Sequence, residues 1–260
     1  MSDPVLLPAA LAAHAPALLV AVPLILATVA AAQPSGRFGW VLAFISAAAA
    51  FFCAVELFAA TRAEYAVVSY AMGGWEPPFG IEFRIDGLNA ALLLLLSATA
   101  LVTLVFGFAS VEDEIDRSKR SLFYSAFMLC FAGLSGVAIT GDAFNLFVFL
   151  EISSIGTYAI IAMGWKNDRR ALTASFNYLV MGTIGATFFV IGIGFLYMAT
   201  GTLNMADMAL RIAQLPGNRV VEVGFAFILV GIGLKAALFP LHLWLPNAYA
   251  FAPSFVTTFL

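Results

Sequence analysis

Residues 143–165 read Ala143-Phe-Asn-Leu-Phe-Val-Phe-Leu-Glu151-Ile-Ser-Ser-Ile-Gly-Thr-Tyr158-Ala-Ile-Ile-Ala-Met-Gly-Trp165. The run carries a single charge, and about 20 residues rising 1.5 Å each cross the roughly 30 Å hydrocarbon core of a bilayer. It far exceeds the about 10 residues of a transmembrane strand and does not alternate in polarity. The stretch therefore predicts a membrane-spanning helix with an acid inside it. Glu151 lies nine residues past Asp142, roughly 13 Å along a helix and so close to the bilayer centre.

The rest of the chain has the same character. Of 260 residues, 63% are hydrophobic and 10% charged, against about 45–50% and about 25% in soluble domains. A mean hydropathy of +1.00 agrees, and a soluble fold of this length cannot hide so much apolar surface. The net charge of −3 offers no basic patch for nucleic acid. Cys53 and Cys130 lie inside apolar runs without CxxC spacing and are expected as free, buried thiols. No His/Cys cluster and no glycine-rich phosphate loop occurs, so neither a metal nor a cofactor is expected.

The length criterion predicts seven complete spans, Val5–Ala32, Phe38–Ala60, Ile85–Ser110, Ser121–Ile139, Ala143–Trp165, Ala171–Thr200 and Val220–Leu238, and the start of an eighth near Pro253. Met1–Pro8 lacks a basic n-region, and the run behind it is too long for a signal peptide, so the first span is expected to be retained. The fold class is thus an all-α, polytopic membrane bundle. Between spans, Arg62–Arg84 is rich in Gly, Pro and aromatics, and Gly201–Arg219 reads as a short amphipathic surface helix. Asp142 is placed to cap the fifth span. Alternate loops carry Arg37, then Arg117, Lys119 and Arg120, then Lys166, Arg169 and Arg170; the opposite loops carry Arg62, Arg84, Arg211 and Arg219. Because Lys and Arg favour the cytoplasmic side, the N-terminus is expected outside.

Two charges of opposite sign remain near mid-membrane, Glu151 and Lys235. A lone charge there costs at least about 2.5–3.5 kcal/mol, which makes the two natural partners and a candidate proton relay. Ser154 and Tyr158 follow Glu151 at i+3 and i+7 and form a candidate polar track on its face. Behind Lys235 stands Leu238-Phe-Pro240-Leu-His242-Leu-Trp-Leu-Pro246. Its prolines predict a broken helix, of the kind that marks transport sites, with the titratable His242 at the break. Glu56 and Glu222 read as solvated or interfacial, and His14 as packing or interfacial. Gly182, Gly185 and Gly192 read as helix-packing positions.

Together, Gly141-Asp-Ala-Phe-Asn-Leu-Phe-Val-Phe-Leu-Glu151-Ile and Gly233-Leu-Lys235-Ala-Ala-Leu-Phe-Pro240-Leu-His-Leu-Trp-Leu-Pro246-Asn-Ala-Tyr resemble the proton-conducting antiporter-like family. That family comprises large subunits of Mrp-type sodium/proton antiporters and their relatives in respiratory complex I and membrane-bound hydrogenases. The run from Asn145 to Glu151 is most similar to the Mrp type. The resemblance extends from about Asp86 to Leu260. It implies an inverted-repeat fold, with residues 1–120 an N-terminal three-helix segment and 121–260 a truncated first repeat. It also implies that Glu151 and Lys235 form the central relay pair and that His242 sits in the broken helix beside Lys235. The expected function is proton conduction in a multi-subunit sodium/proton antiporter, as a transporter subunit of the bacterial inner membrane with other membrane subunits as partners. The alternatives are the same relay in a redox-driven complex, or a non-conducting structural subunit. The second repeat is absent, so the chain is expected to be a fragment or one half of a split subunit.

Overall fold

The computed structural model of the chain describes residues 6–63, 66–166 and 168–260 and is predominantly helical. Val5, the expected first residue of the first span, lies outside the described residues. A short α1 (Ala9–Ala13) precedes α2 (Ala15–Ala32) and α3 (Gly36–Ala63). A hairpin of β1 (Val68–Ala71) and β2 (Glu82–Ile85) leads to α4 (Gly87–Phe106) and α5 (Phe108–Glu114). Then come α6 (Arg120–Ile139), α7 (Ala143–Ala162), α8 (Arg170–Thr200) and the short α9 (Met205–Ile212). The chain closes with α10 (Arg219–Lys235), α11 (Trp244–Ala250) and α12 (Ser254–Phe259). Among the described residues, six helices are long and apolar enough to cross a membrane: α2, α3, α4, α6, α7 and α8.

Four predicted spans are shorter as α-helices than hydropathy implied: the first, the third, the fifth and the seventh. The fifth leaves α-helical geometry after Ala162, and the seventh, whose α10 ends at Lys235, is not among the six. The first divides at His14, and Pro16 opens α2 in the first turn, where a missing N–H loses no helical bond. The third starts only after Ile85, because Ile85 ends β2 and Asp86 caps α4, accepting from the Leu88 and Asn89 N–H groups at 2.9 Å. The hairpin corrects the all-helical expectation. β1 and β2 pair antiparallel from Val68↔Ile85 to Ala71↔Glu82, in strands of four residues whose alternation is too brief to register as a period. The amphipathic helix expected within Gly201–Arg219 is α9, capped by Asn204.

At the bundle's centre lies α6, buried along most of its length. Its Phe123 and Phe127 meet Phe255 of α12 edge-on at 5.3 and 5.2 Å. Cys53 and Cys130 are free and buried, as expected. The expected packing glycines lie at close approaches: Gly185 and Gly192 abut Gly231 and Gly224 of α10, and Gly182 abuts the Tyr158 hydroxyl. A Cβ at Gly182 or Gly192 would overlap Tyr158 or Ile228, and one at Gly185 would be a tight fit at 3.0 Å from Leu234.

The loops sort to two ends. At one end, Lys166 donates to the Asp113 carbonyl at 3.2 Å, and the Ser254 N–H donates to Glu114 at 2.9 Å. At the other, the Gly141 N–H donates to the Glu82 carbonyl and the Met205 N–H to the Gly141 carbonyl, each at 2.8 Å. The segment from α10 through α11 therefore passes from the hairpin end to the end that holds Glu114.

Candidate functional site

The position of Glu151 begins with how α7 is seated. Asp142 caps α7, its carboxylate accepting from the Asn145 N–H at 2.7 Å. Burial raises the affinity of the Asp142 carboxyl for its proton, and the N–H groups of Asn145 and Phe144 oppose that shift without cancelling it. The turn before it is clamped by a residue that sequence reasoning missed. Glu82, 4% exposed, accepts from Ser69 Oγ at 2.5 Å and from Asn204 Nδ2 at 2.8 Å. Asn204 in turn caps α9 through the N–H groups of Ala206 and Asp207, both at 3.1 Å. The Glu82 carboxylate thus joins the hairpin to the α8–α9 loop, while its backbone carbonyl accepts from the Gly141 N–H of the α6–α7 turn at the mouth of α7. The only sequence signal was an acid between apolar neighbours, Ile81 and Phe83, inside a segment with no clear period.

Deeper in the bundle, Lys235 Nζ donates to Glu151 Oε1 at 3.0 Å and to Ser154 Oγ at 2.6 Å. Ser154 passes its own hydrogen to the Leu150 carbonyl at 2.7 Å. The Lys235 and Glu151 side chains are 12% and 25% exposed, so the pair is largely withdrawn from solvent and the two charges compensate each other. A cavity of about 430 Å³ opens beside Lys235, bordered by Ser153, Thr157, Tyr178 and Trp244. The arrangement gives a partly buried, charge-balanced acid–base pair beside space that can hold water.

The helix break is present, though the backbone places it earlier than the prolines suggested. α10 stops at Lys235; the Ala237 N–H donates to Leu234 and the Leu238 N–H to Gly233 at 3.2 and 2.9 Å. These two bonds form a Schellman termination, with Ala237 in the left-handed region at φ 51° where glycine is usual. Pro240 follows inside the break, and Pro246 is the third residue of α11, in a first turn that tolerates it. Trp244 Nε1 reaches back to the Leu234 carbonyl at 3.1 Å and ties the two arms together. Trp244 also stacks on Tyr178 at 4.0 Å, and Tyr178 meets Tyr158 edge-on at 4.7 Å.

The structure thus brings together Glu151, Lys235 and Ser154. Tyr158 lies one turn beyond Ser154, its buried hydroxyl without a hydrogen-bond partner among the described residues. His242 stands in the break against Phe239, its Nδ1 buried and equally unpartnered; it makes no hydrogen bond to Lys235 or Glu151. Glu56, expected solvated or interfacial, is 7% exposed and accepts from the N–H groups of Leu6 and Leu7. Its carboxylate anchors the entry into α1. His14 Nδ1 and the Tyr70 hydroxyl share a hydrogen bond of 2.9 Å, and Glu222 lies exposed in the first turn of α10.

The chain is similar to several known membrane proteins. Residues 140–260 match the family model described as NADH:quinone oxidoreductase/Mrp antiporter, TM. The NADH-quinone oxidoreductase subunit N of Desulforudis audaxviator is 42% identical over 253 residues, covering 95% of this chain and 49% of the relative. An Na(+)/H(+) antiporter subunit of Bacillus subtilis is 35% identical over 191 residues, covering 74% of this chain and 38% of the relative. The solved Mrp complex from Dietzia sp. DQ12-45-1b superposes with a TM-score of 0.81 at 28% identity, over 96% of this chain and 45% of the matched one. The chain spans about half or less of the length of these proteins.

Proposed function

Since residues 140–260 belong to the NADH:quinone oxidoreductase/Mrp antiporter transmembrane family, we propose that this chain forms a proton half-channel in a subunit of a multi-subunit monovalent cation (sodium)/proton antiporter. The observation that carries the reading is the 3.0 Å contact of Lys235 with Glu151 beside a broken helix. Glu151 takes up and releases the proton, Lys235 passes it on, and His242 links the pair to the next half-channel. Ser154 holds the Lys235 ammonium in place, and Tyr158 extends the polar track. Pro240 and Pro246 shape the non-helical stretch, which is tolerated at membrane depth where it is buried or lines water.

In this reading α10, the break and α11 together are the seventh span, and α12 opens the eighth. Residues 1–120 form the N-terminal three-helix segment, and 121–260 the first inverted repeat. The chain lies in the bacterial inner membrane with its N-terminus outside, where the loop charges put it, and it works beside other membrane subunits as a transporter subunit without a cofactor. The test is proton-coupled sodium transport in vesicles that hold the assembled complex. Glu151→Ala and Lys235→Ala are each expected to abolish it, and full transport by either variant refutes the relay.

A second reading rests on the 42% identity to a relative named NADH-quinone oxidoreductase subunit N: the same relay driven by electron transfer in another subunit. Quinone reductase activity that co-purifies with the chain would select it. Proton flux unchanged on deletion of the chain would instead indicate a structural subunit.

A further inference from the structure

A pocket of about 660 Å³ lies far from the relay, at the bundle end that holds Glu114 and Lys166. Arg37, Arg117 and Arg120 line it against one carboxylate, Glu112. Arg120 is engaged with Glu112 and the Ile115 carbonyl, whereas Arg37 and Arg117 have no ion-pair partner among the described residues. Gly36 and Arg37, also in the lining, open the 28-residue α3. N–H groups in a first helical turn have no partner within the helix and favour an anion. Of these, the Phe38 N–H reaches the Ser35 hydroxyl at 3.4 Å.

A second, independent feature points to a ligand. Tyr124 forms the inner wall and is 1% exposed, yet its hydroxyl has no hydrogen-bond partner among the described residues. A buried hydroxyl left unsatisfied costs about 1–3 kcal/mol, and an anion oxygen in the pocket would accept from it.

The surroundings select the source of the anion. Phe38, Val41 and Ile45, all exposed, recur at i, i+3 and i+7 along α3 from the residue beyond Arg37. They form an exposed apolar stripe on α3 that begins at the residue next to Arg37 of the pocket lining. Trp40 donates to the Leu104 carbonyl at 2.8 Å and packs edge-on against Phe108, as aromatic residues do at headgroup level. We propose that this pocket binds the phosphate headgroup of an anionic phospholipid, Arg37, Arg117 and the Tyr124 hydroxyl holding the phosphate while an acyl chain lies along Phe38, Val41 and Ile45.

The test is native mass spectrometry of the full chain, delipidated and then offered phosphatidylglycerol, phosphatidylcholine or inorganic phosphate alone. Phosphatidylglycerol is expected to be retained over phosphatidylcholine. Arg37→Gln/Arg117→Gln is expected to weaken its binding about 30-fold, at about fivefold per basic residue near an anionic surface. Tyr124→Phe decides the matter should the double variant fail to fold. It is expected to weaken phosphatidylglycerol about tenfold while raising the unfolding temperature of the lipid-free chain, a combination that a purely structural hydroxyl would not produce. Equal binding of the two lipids, or unchanged phosphatidylglycerol binding by the variants, overturns the proposal. Inorganic phosphate that displaces the lipid completely overturns the assignment to a lipid.

Discussion

Lys235 and Glu151 are 84 residues apart in the chain and 3.0 Å apart in space, the contact joining the last residue of α10 to the middle of α7. The end of one helix is thereby pinned to the flank of another at the point where the backbone leaves helical geometry.

That pairing predicts energetic coupling. Removal of one partner from a fully buried ion pair costs about 3–5 kcal/mol, whereas replacement of both by apolar residues is often neutral. With side chains 12% and 25% exposed, Glu151→Gln and Lys235→Met are each expected to destabilise by about 1–3 kcal/mol. The double variant should lose less than the sum, by about 1–2 kcal/mol. Unfolding of the four species in detergent measures this, and additivity within about 0.5 kcal/mol contradicts it.

Ala237 carries the conformational cost of the break. A non-glycine residue at φ 51° pays about 1 kcal/mol relative to glycine. Ala237→Gly is expected to raise the unfolding midpoint and Ala237→Val to lower it, with helix content unchanged by circular dichroism. A lower midpoint for Ala237→Gly would show that this termination is not strained.

Glu82 is expected to act on the mouth of α7 from outside the membrane-spanning part. Glu82→Ala leaves the Asn204 amide and the Ser69 hydroxyl without their acceptor and should cost about 2–4 kcal/mol. Hydrogen exchange should accelerate at Gly141, Ala143 and Met205, whose N–H groups close the interlocked loops, with little change in α6. Uniform acceleration through the whole bundle would deny the clamp its local role.

Glu114 links pH to the docking of α12. Burial raises its affinity for a proton, but hydrogen bonds from the Ser110 hydroxyl at 2.6 Å, the Ser254 hydroxyl and the Ser254 N–H at 2.9 Å together outweigh burial. The net shift is below the ordinary carboxylate value. A lowered folded-state value means that the tether is fully present above the unfolded value of about 4.3 and is lost as pH falls through the lower folded value. Protection of the Ser254 N–H should decline over that acid range, and Glu114→Gln should remove the pH dependence. A decline centred near neutrality would assign it to another group.

Some parts of this site were legible residue by residue. Glu151 and Lys235 stood out because each is a lone charge in a long apolar run, and transfer into hydrocarbon penalises such a residue wherever the chain folds. Ser154 was legible as the i+3 neighbour of Glu151. Asp142 was legible as a cap, because N-capping is local chemistry. The break was legible in kind but displaced, since Pro240 and Pro246 announce a non-helical stretch while the stop itself is a Schellman turn at Lys235 that no residue type advertises. Glu82 and Glu56 were not legible as buried. An acid near a span end reads as solvated until the chain that covers it is known.

The sequence by itself determined that this is a helical membrane bundle, roughly where its long helices run, and which two charges of opposite sign interrupt long apolar runs. These follow from hydropathy summed over about 20 neighbouring residues and from single-residue transfer costs. Only the tertiary structure decided that Lys235 meets both Glu151 and Ser154, that a hairpin of four-residue strands clamps the mouth of α7, and that Tyr124 faces a basic pocket with its hydroxyl unpaired. Each of these depends on which surfaces of distant segments come together: Glu82 and Asn204 are 122 residues apart. Such pairings are chosen by packing and by the satisfaction of buried polar groups across the whole bundle, and a local stretch of residues does not encode them.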